Sequence, residues 1–164
     1  MNKSPLFRIF GMRKPMKPGI LTAIAVLALA PLAVSSEKPA TENQYVKFSA
    51  ALKQPTMAKG STGALLITLR PQKGIHIVLE PPVSVTFDSA APVEPSGKVE
   101  VPKMAKHPYL DTAKAIVQRF RLAKREPGST VTLKGILTYF YCSDVEGWCS
   151  KFRQPFAVSV TVTK

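Results

Sequence analysis

The sequence predicts an all-β sandwich, on three observations. Apolar and β-branched residues recur with period two rather than 3.6. Proline, glycine and other turn residues interrupt these runs at intervals of roughly 8 to 12 residues. Beyond residue 35, no stretch carries a helical pattern that stands up to the strand alternative.

In chain order, the first strand is expected from Tyr45, where Val46, Phe48, Ala50 and Leu52 alternate with Lys47, Ser49 and Lys53 as a half-buried strand requires. Thr62 to Leu69 is rich in aliphatics, and Gly74 to Leu79 and Val83 to Phe87 are rich in β-branched residues. Pro71, Pro81 and Pro82 fall at the ends of these runs, where a missing N–H is tolerated. Residues 90 to 108 hold Pro92, Pro95, Pro102 and Pro108 and read as loop, with a short strand expected at Lys98 to Val101. Ala113 to Lys124 has helix-favouring composition. The alternation of Ile116, Phe120 and Leu122 with Val117, Arg119 and Arg121 favours a strand instead. Thr130 to Cys142 and Phe152 to Thr163 are long, β-branched and aromatic, and as consecutive strands they should form a hairpin. Seven or eight short strands of this kind describe an immunoglobulin-like β-sandwich, with a small barrel as the alternative.

The N-terminal segment has a different character. Residues 1 to 35 carry Lys3, Arg8, Arg13, Lys14 and Lys17, no acidic residue, and then the apolar run Gly19 to Val34. That is the layout of a signal peptide. Ala33 and Ser35 supply the small-x-small pattern for cleavage after Ser35, with Ser36 nearly as suitable. An uncleaved anchor is the alternative, but the run of roughly 16 apolar residues falls short of a spanning helix. Residues 36 to 44 are polar and aperiodic and read as a tether, leaving 45 to 164 as one domain, since about 129 residues can bury one core but not two. The formal charge is +13, from 23 basic and 10 acidic residues. Without the five basic residues of the leader, 18 remain against 10, a net +8. These charges are scattered singly, with no basic block and no interleaved aromatic motif, so a nucleic-acid partner is not expected. Contact with the membrane is expected only during export, and the location is expected to be periplasmic.

Cys142 and Cys149 are the two cysteines of the chain. In an exported protein an even count suggests a disulfide, because the compartment beyond the inner membrane is oxidising. Placing Cys142 opposite Cys149 sets Val131 opposite Val160, Leu133 opposite Val158, Gly135 opposite Phe156 and Tyr139 opposite Phe152, all on one face. A slip of one residue would send one strand's apolar set to the wrong side. Gln154 interrupts the pattern, and Pro155 beside it suggests a bulge. Both cysteines then fall on the other face, beside Phe140. A structural staple is one reading, although an eight-residue closed loop is worth only about 2.5 kcal/mol in the chain-entropy model. The other is an exchangeable pair at a hairpin tip. There Asp144 and Glu146 would oppose thiolate formation, while Lys151 and Arg153 would favour it. Trp148 reads equally as a docking surface, a lid over sulfur or an ordinary core tryptophan.

The segment Gly135 to Thr163, GILTYFYCSDVEGWCSKFRQPFAVSVTVT, resembles the corresponding hairpin of the N-terminal periplasmic domains of the thiol:disulfide interchange protein DsbD. The likeness extends loosely to GIHIVLEPPVSV from Gly74, so it covers about the last 90 residues. The resemblance implies an immunoglobulin-like fold and a redox role for Cys142 and Cys149. It also implies electron relay to or from periplasmic thioredoxin-like proteins or a membrane electron conduit. By the same resemblance a cap loop shields the cysteines with an aromatic ring, and Tyr109 in His107-Pro108-Tyr109-Leu110-Asp111 is the candidate. His107 and Pro108 stand where the family would carry acidic residues, and the cysteine spacing is one residue longer than usual for it.

Other chemistries find little footing. Met104, His107, His76 and the thiols include soft ligands suited to copper, but no recognised ligand spacing, so no metal is expected. No nucleophile-base motif or phosphate-binding glycine loop is present, and no cofactor is expected. Two functions remain: a thiol-disulfide exchange module, or a non-catalytic envelope interaction module with a purely structural disulfide.

Overall fold

Strand formation follows the alternation closely because each strand buries one face and leaves the other in water. The computed structural model describes residues 42–123 and 126–164. The expected signal segment 1–35, and the tether as far as residue 41, lie outside the described residues. All the described residues belong to one compact unit, Lys38–Lys164.

Nine strands form two sheets: β1 (Val46–Leu52), β2 (Thr56–Ala58), β3 (Thr62–Pro71), β4 (Ile75–Val78), β5 (Ser84–Phe87), β6 (Val93–Pro95), β7 (Ile116–Leu122), β8 (Thr130–Ser143) and β9 (Trp148–Thr163). One sheet runs β1-β3-β7-β6, and the other β2-β9-β8-β4 with β5 also on β8. The fold is therefore an all-β, immunoglobulin-like sandwich. Among the described residues it has nine strands where seven or eight were expected, and no helix.

The core lies between the sheets. Leu65, Ile67 and Leu69 of β3 and Ile116, Phe120 and Leu122 of β7 meet Leu133, Leu137 and Tyr139 of β8 and Val160 of β9, all at most 1 % exposed. Each such aliphatic contributes roughly 1.5–3 kcal/mol of burial. The strand reading of Ala113 to Lys124 holds over Ile116–Leu122, with every second residue buried.

Two elements were not foreseen, and both are three residues long. β2 adds in parallel to the end of β9, burying Met57, and β6 adds to β7 at the sheet edge. Three residues cannot display a period, so their partners, not their own sequence, make them strands. The short strand expected at Lys98 to Val101 reduces to a bridge between Glu100 and Val117. Pro95 sits on the edge strand, where its missing N–H leaves no ladder position vacant.

β4 and β5 share one edge of β8. Val78 faces Phe140 and Ser84 faces Thr138, so residues 79–83, with the cis Glu80–Pro81 peptide, stand opposite Tyr139 alone. The long hairpin keeps the expected register throughout, Thr130 opposite Thr161 to Ser143 opposite Trp148. The bulge expected at Gln154 and Pro155 is absent, since Leu137 faces Gln154 and Ile136 faces Pro155 in unbroken order. Gln154 is accommodated instead by burial, with its side-chain amide donating to the Pro155 carbonyl at 3.2 Å. Gly135 lies under the Phe156 ring so closely that a Cβ there would come within 2.6 Å of Phe156 Cζ.

The body also begins earlier than Tyr45. Asn43 Nδ2 donates to the Tyr139 hydroxyl at 3.0 Å, and Gln72 Nε2 donates to the Gln44 carbonyl at 2.7 Å, so the end of the expected tether is part of the sandwich.

Candidate functional site

The turn 144–147 that closes the β8–β9 hairpin is built by its own residues. Ser143 Oγ accepts from the Glu146 amide at 3.2 Å, and the Ser143 carbonyl accepts from the Gly147 amide at 3.0 Å. Gly147 has φ 68°, the left-handed conformation that glycine adopts without a Cβ penalty. One pair below this turn, Cys142 and Cys149 are disulfide-bonded, with Cα atoms 4.0 Å apart. Paired residues project to the same side of a sheet, and alternation places this side opposite the one on which Tyr139 and Tyr141 enter the core. The bond therefore lies on the outer surface of its sheet. The two sulfur residues differ in access, since Cys142 is only 8 % exposed whereas Cys149 is exposed.

On the side of Cys142 away from Cys149 stands His76, its registered partner on β4. His76 Nδ1 lies 3.1 Å from Asp144 Oδ2 in the turn, and its side chain is 15 % exposed. The ring of Tyr109 packs on the imidazole at a centroid distance of 3.9 Å, and His107 stacks in turn on Tyr109 at 5.8 Å and 8°. Tyr109 is fixed by backbone pairing. It bridges to Val78, its carbonyl accepts from the Met104 amide at 3.0 Å, and the next amide, Leu110, donates to the Ile77 carbonyl at 2.9 Å. Leu110, 3 % exposed, anchors the segment in the core. Tyr109 thus belongs to a segment folded against the cysteine end of the sheet, and its ring contacts are with histidines. It approaches the disulfide through His76.

Trp148 lies on the other side of β9 from Cys149. Consecutive strand residues face opposite sides, so Trp148 turns away from the sulfurs. It packs on Tyr45 at 5.1 Å and edge-on to Tyr141 at 5.7 Å. Its indole N–H donates to Glu146. Of the three alternatives open for Trp148, the structure favours the tryptophan of an aromatic cluster at the rim of the core.

The charges that the sequence set against each other are sorted by the same alternation. Asp144 pairs with His76, and Glu146 is engaged on the Trp148 side. Lys151 shares the face of Cys149, with its Nζ 5.9 Å from the centroid of Phe140, the ring below Cys142. A sulfur anion on this face would therefore meet a cation from β9 and a carboxylate already paired. The exposed side chains Val145, 86 % exposed, and Met104, 42 % exposed, project from the turn and from the cap segment.

Among the described residues, no group of three or more His, Cys, Asp and Glu side chains converges as a metal site. Two cavities, of about 540 and 460 Å³, are lined by Asn43, Phe48 and Gln154 in one and by Val83, Val99 and Gln118 in the other, and neither includes a cysteine. The sequence offered His76 only as a soft metal ligand, not as a neighbour of Cys142. Its position became legible only through the β4–β8 register, which places it beside Cys142.

Compared with known proteins, the chain has no matching family model and no significant match among curated proteins.

Proposed function

We propose that this chain is a periplasmic thiol-disulfide exchange module, relaying electrons through Cys142 and Cys149 to or from thioredoxin-like partners or a membrane electron conduit. The observation that carries the reading is the unequal access of the two sulfurs, Cys149 exposed and Cys142 buried, in a bond on the outer surface of the sheet. Such a bond joins neighbours that are already paired by a fourteen-residue strand. It does not cross between sheets, where a staple would constrain the unfolded chain more.

The access difference also orders the chemistry. A partner thiolate attacks Cys149 Sγ, forming a mixed disulfide while the bond to Cys142 breaks and its electron pair stays on Cys142 Sγ as a thiolate. A second thiolate of the partner then attacks its own sulfur in the mixed disulfide. That releases Cys149 as a thiolate, so the partner leaves oxidised and this chain reduced. The reverse sequence passes electrons outward. The compartment follows from the export signal read in residues 1–35 and the partner class from the DsbD resemblance.

The test is the reduction potential of the pair in the purified protein, equilibrated with glutathione buffers while free thiols are counted. A value between roughly −270 and −150 mV is expected of an exchanging pair. A value below about −300 mV would overturn the reading in favour of an interaction module with a structural disulfide.

A further inference from the structure

The geometry points to His76 as the residue that stabilises charge on the Cys142 sulfur, held in place by Asp144 and Tyr109. This inference rests on the exchange reading above and extends it from the two sulfurs to the residue that manages the leaving group.

Three observations converge on the imidazole. Cys142 and His76 are registered neighbours across β8 and β4 and project to the same side, where opposed side chains have Cβ atoms roughly 4.5–5.5 Å apart. Asp144 Oδ2 lies 3.1 Å from Nδ1, which fixes the proton on that nitrogen and leaves Nε2 as the position that gains or loses one. Tyr109 covers the ring face at 3.9 Å, and this restricts both rotation and access of water. By register and ion pair, sulfur, imidazole and carboxylate stand in sequence, the order in which, once the disulfide opens, a base oriented by a third group can act on a sulfur nucleophile.

A role for it follows from burial. When an incoming thiolate takes Cys149, negative charge develops on Cys142, whose 8 % exposure leaves little water to solvate it. An imidazolium beside it supplies the counter-charge, or transfers its Nε2 proton to the sulfur. Asp144 balances the ring while it is charged, and once the proton has moved to sulfur the ring is neutral. In the return step neutral His76 accepts the Cys142 proton at Nε2. The thiolate so formed attacks Cys149 Sγ of the mixed disulfide, re-forms the intramolecular bond and expels the partner's thiolate. The groups facing His76 from the surrounding elements are Asp144 of the turn, Tyr109 of the cap segment and Cys142 of β8, with His107 stacked on Tyr109. Asp111, next along the cap, is engaged with Lys114 at 2.9 Å.

The experiment uses Cys149→Ala, which leaves Cys142 as the sole thiol, and follows its thiolate by ultraviolet absorbance across pH, alone and combined with His76→Gln or Asp144→Asn. With His76→Gln the thiolate fraction at neutral pH is expected to fall about tenfold, and with Asp144→Asn by less. In parallel, the intact disulfide of the natural chain and of His76→Gln is reduced by glutathione across pH, which needs no cysteine removed. The variant is expected to lose the rise in rate that follows protonation of the imidazole. Unchanged thiolate titration and an unchanged pH profile would overturn the inference whatever the potential of the pair. A potential below about −300 mV together with a His76-dependent titration would overturn the exchange reading alone.

Discussion

Tyr139 joins the core to the N-terminal edge of the domain at the level of single atoms. It is fully buried, and burial raises its phenol well above its ordinary pKa of 10.0, against the opposing effect of the hydrogen bond from Asn43. The neutral phenol is therefore favoured by the fold. Below the unfolded value the unfolded chain also keeps its proton, so the full stabilisation is present there. As pH rises beyond about 10 the unfolded chain alone releases its proton, and stability falls. Urea midpoints should decline as pH rises beyond about 10, and Tyr139→Phe should flatten that decline while costing about 1 kcal/mol at neutral pH for the lost hydrogen bond. Asp111 shows the opposite case at the surface. Its carboxyl is held below the ordinary value by the hydrogen bond from Lys114 and then by that from the Ala113 amide, so it keeps the turn after the cap segment tied until the pH falls through the carboxylate range.

Among elements, the β8–β9 hairpin decides most about the site. Its strands are registered along all of Thr130–Ser143, and the apolar rows Val131, Leu133, Leu137 and Tyr139 against Val160, Val158 and Phe156 hold that register without the disulfide. Replacing both Cys142 and Cys149 by serine is accordingly expected to leave the domain folded, with a loss of no more than about 2.5 kcal/mol. Circular dichroism and a urea titration measure this, and a domain that fails to fold without the bond would mark it as a staple. The cap segment is a second element with its own logic. It is bridged to β4 at Tyr109 and anchored by Leu110, so its position is set by backbone hydrogen bonds and one buried side chain rather than by any contact with sulfur.

For the whole molecule, the sandwich is closed along one side by residues that precede β1. Asn43 bonds Tyr139, and Tyr45 packs on both Tyr141 and Trp148. A chain beginning at Val46 is expected to melt several degrees below one beginning at Lys38, because the loss of the Asn43 and Gln44 hydrogen bonds and of both Tyr45 ring contacts amounts to roughly 2–4 kcal/mol. Calorimetry compares the two, and equal melting temperatures would show that residues 38–45 add nothing to the sandwich. The alternation of apolar residues was enough by itself to determine the all-β class and the strand character of 116 to 122, and it supported the β8–β9 register set by pairing the two cysteines, because a period of two commits each side chain to core or solvent as soon as the partner strand is known. Pairing Cys142 with Cys149 was the premise of that register, and alternation then put both on the outer face. Only the tertiary structure decided that His76 stands beside Cys142, that Trp148 faces away from the sulfurs, that β2 and β6 exist, and that Cys149 is exposed while Cys142 is covered. These depend on which strand lies next to which across long separations in the chain, and burial and neighbourhood there are properties of the assembled sheets, with no counterpart in the local sequence.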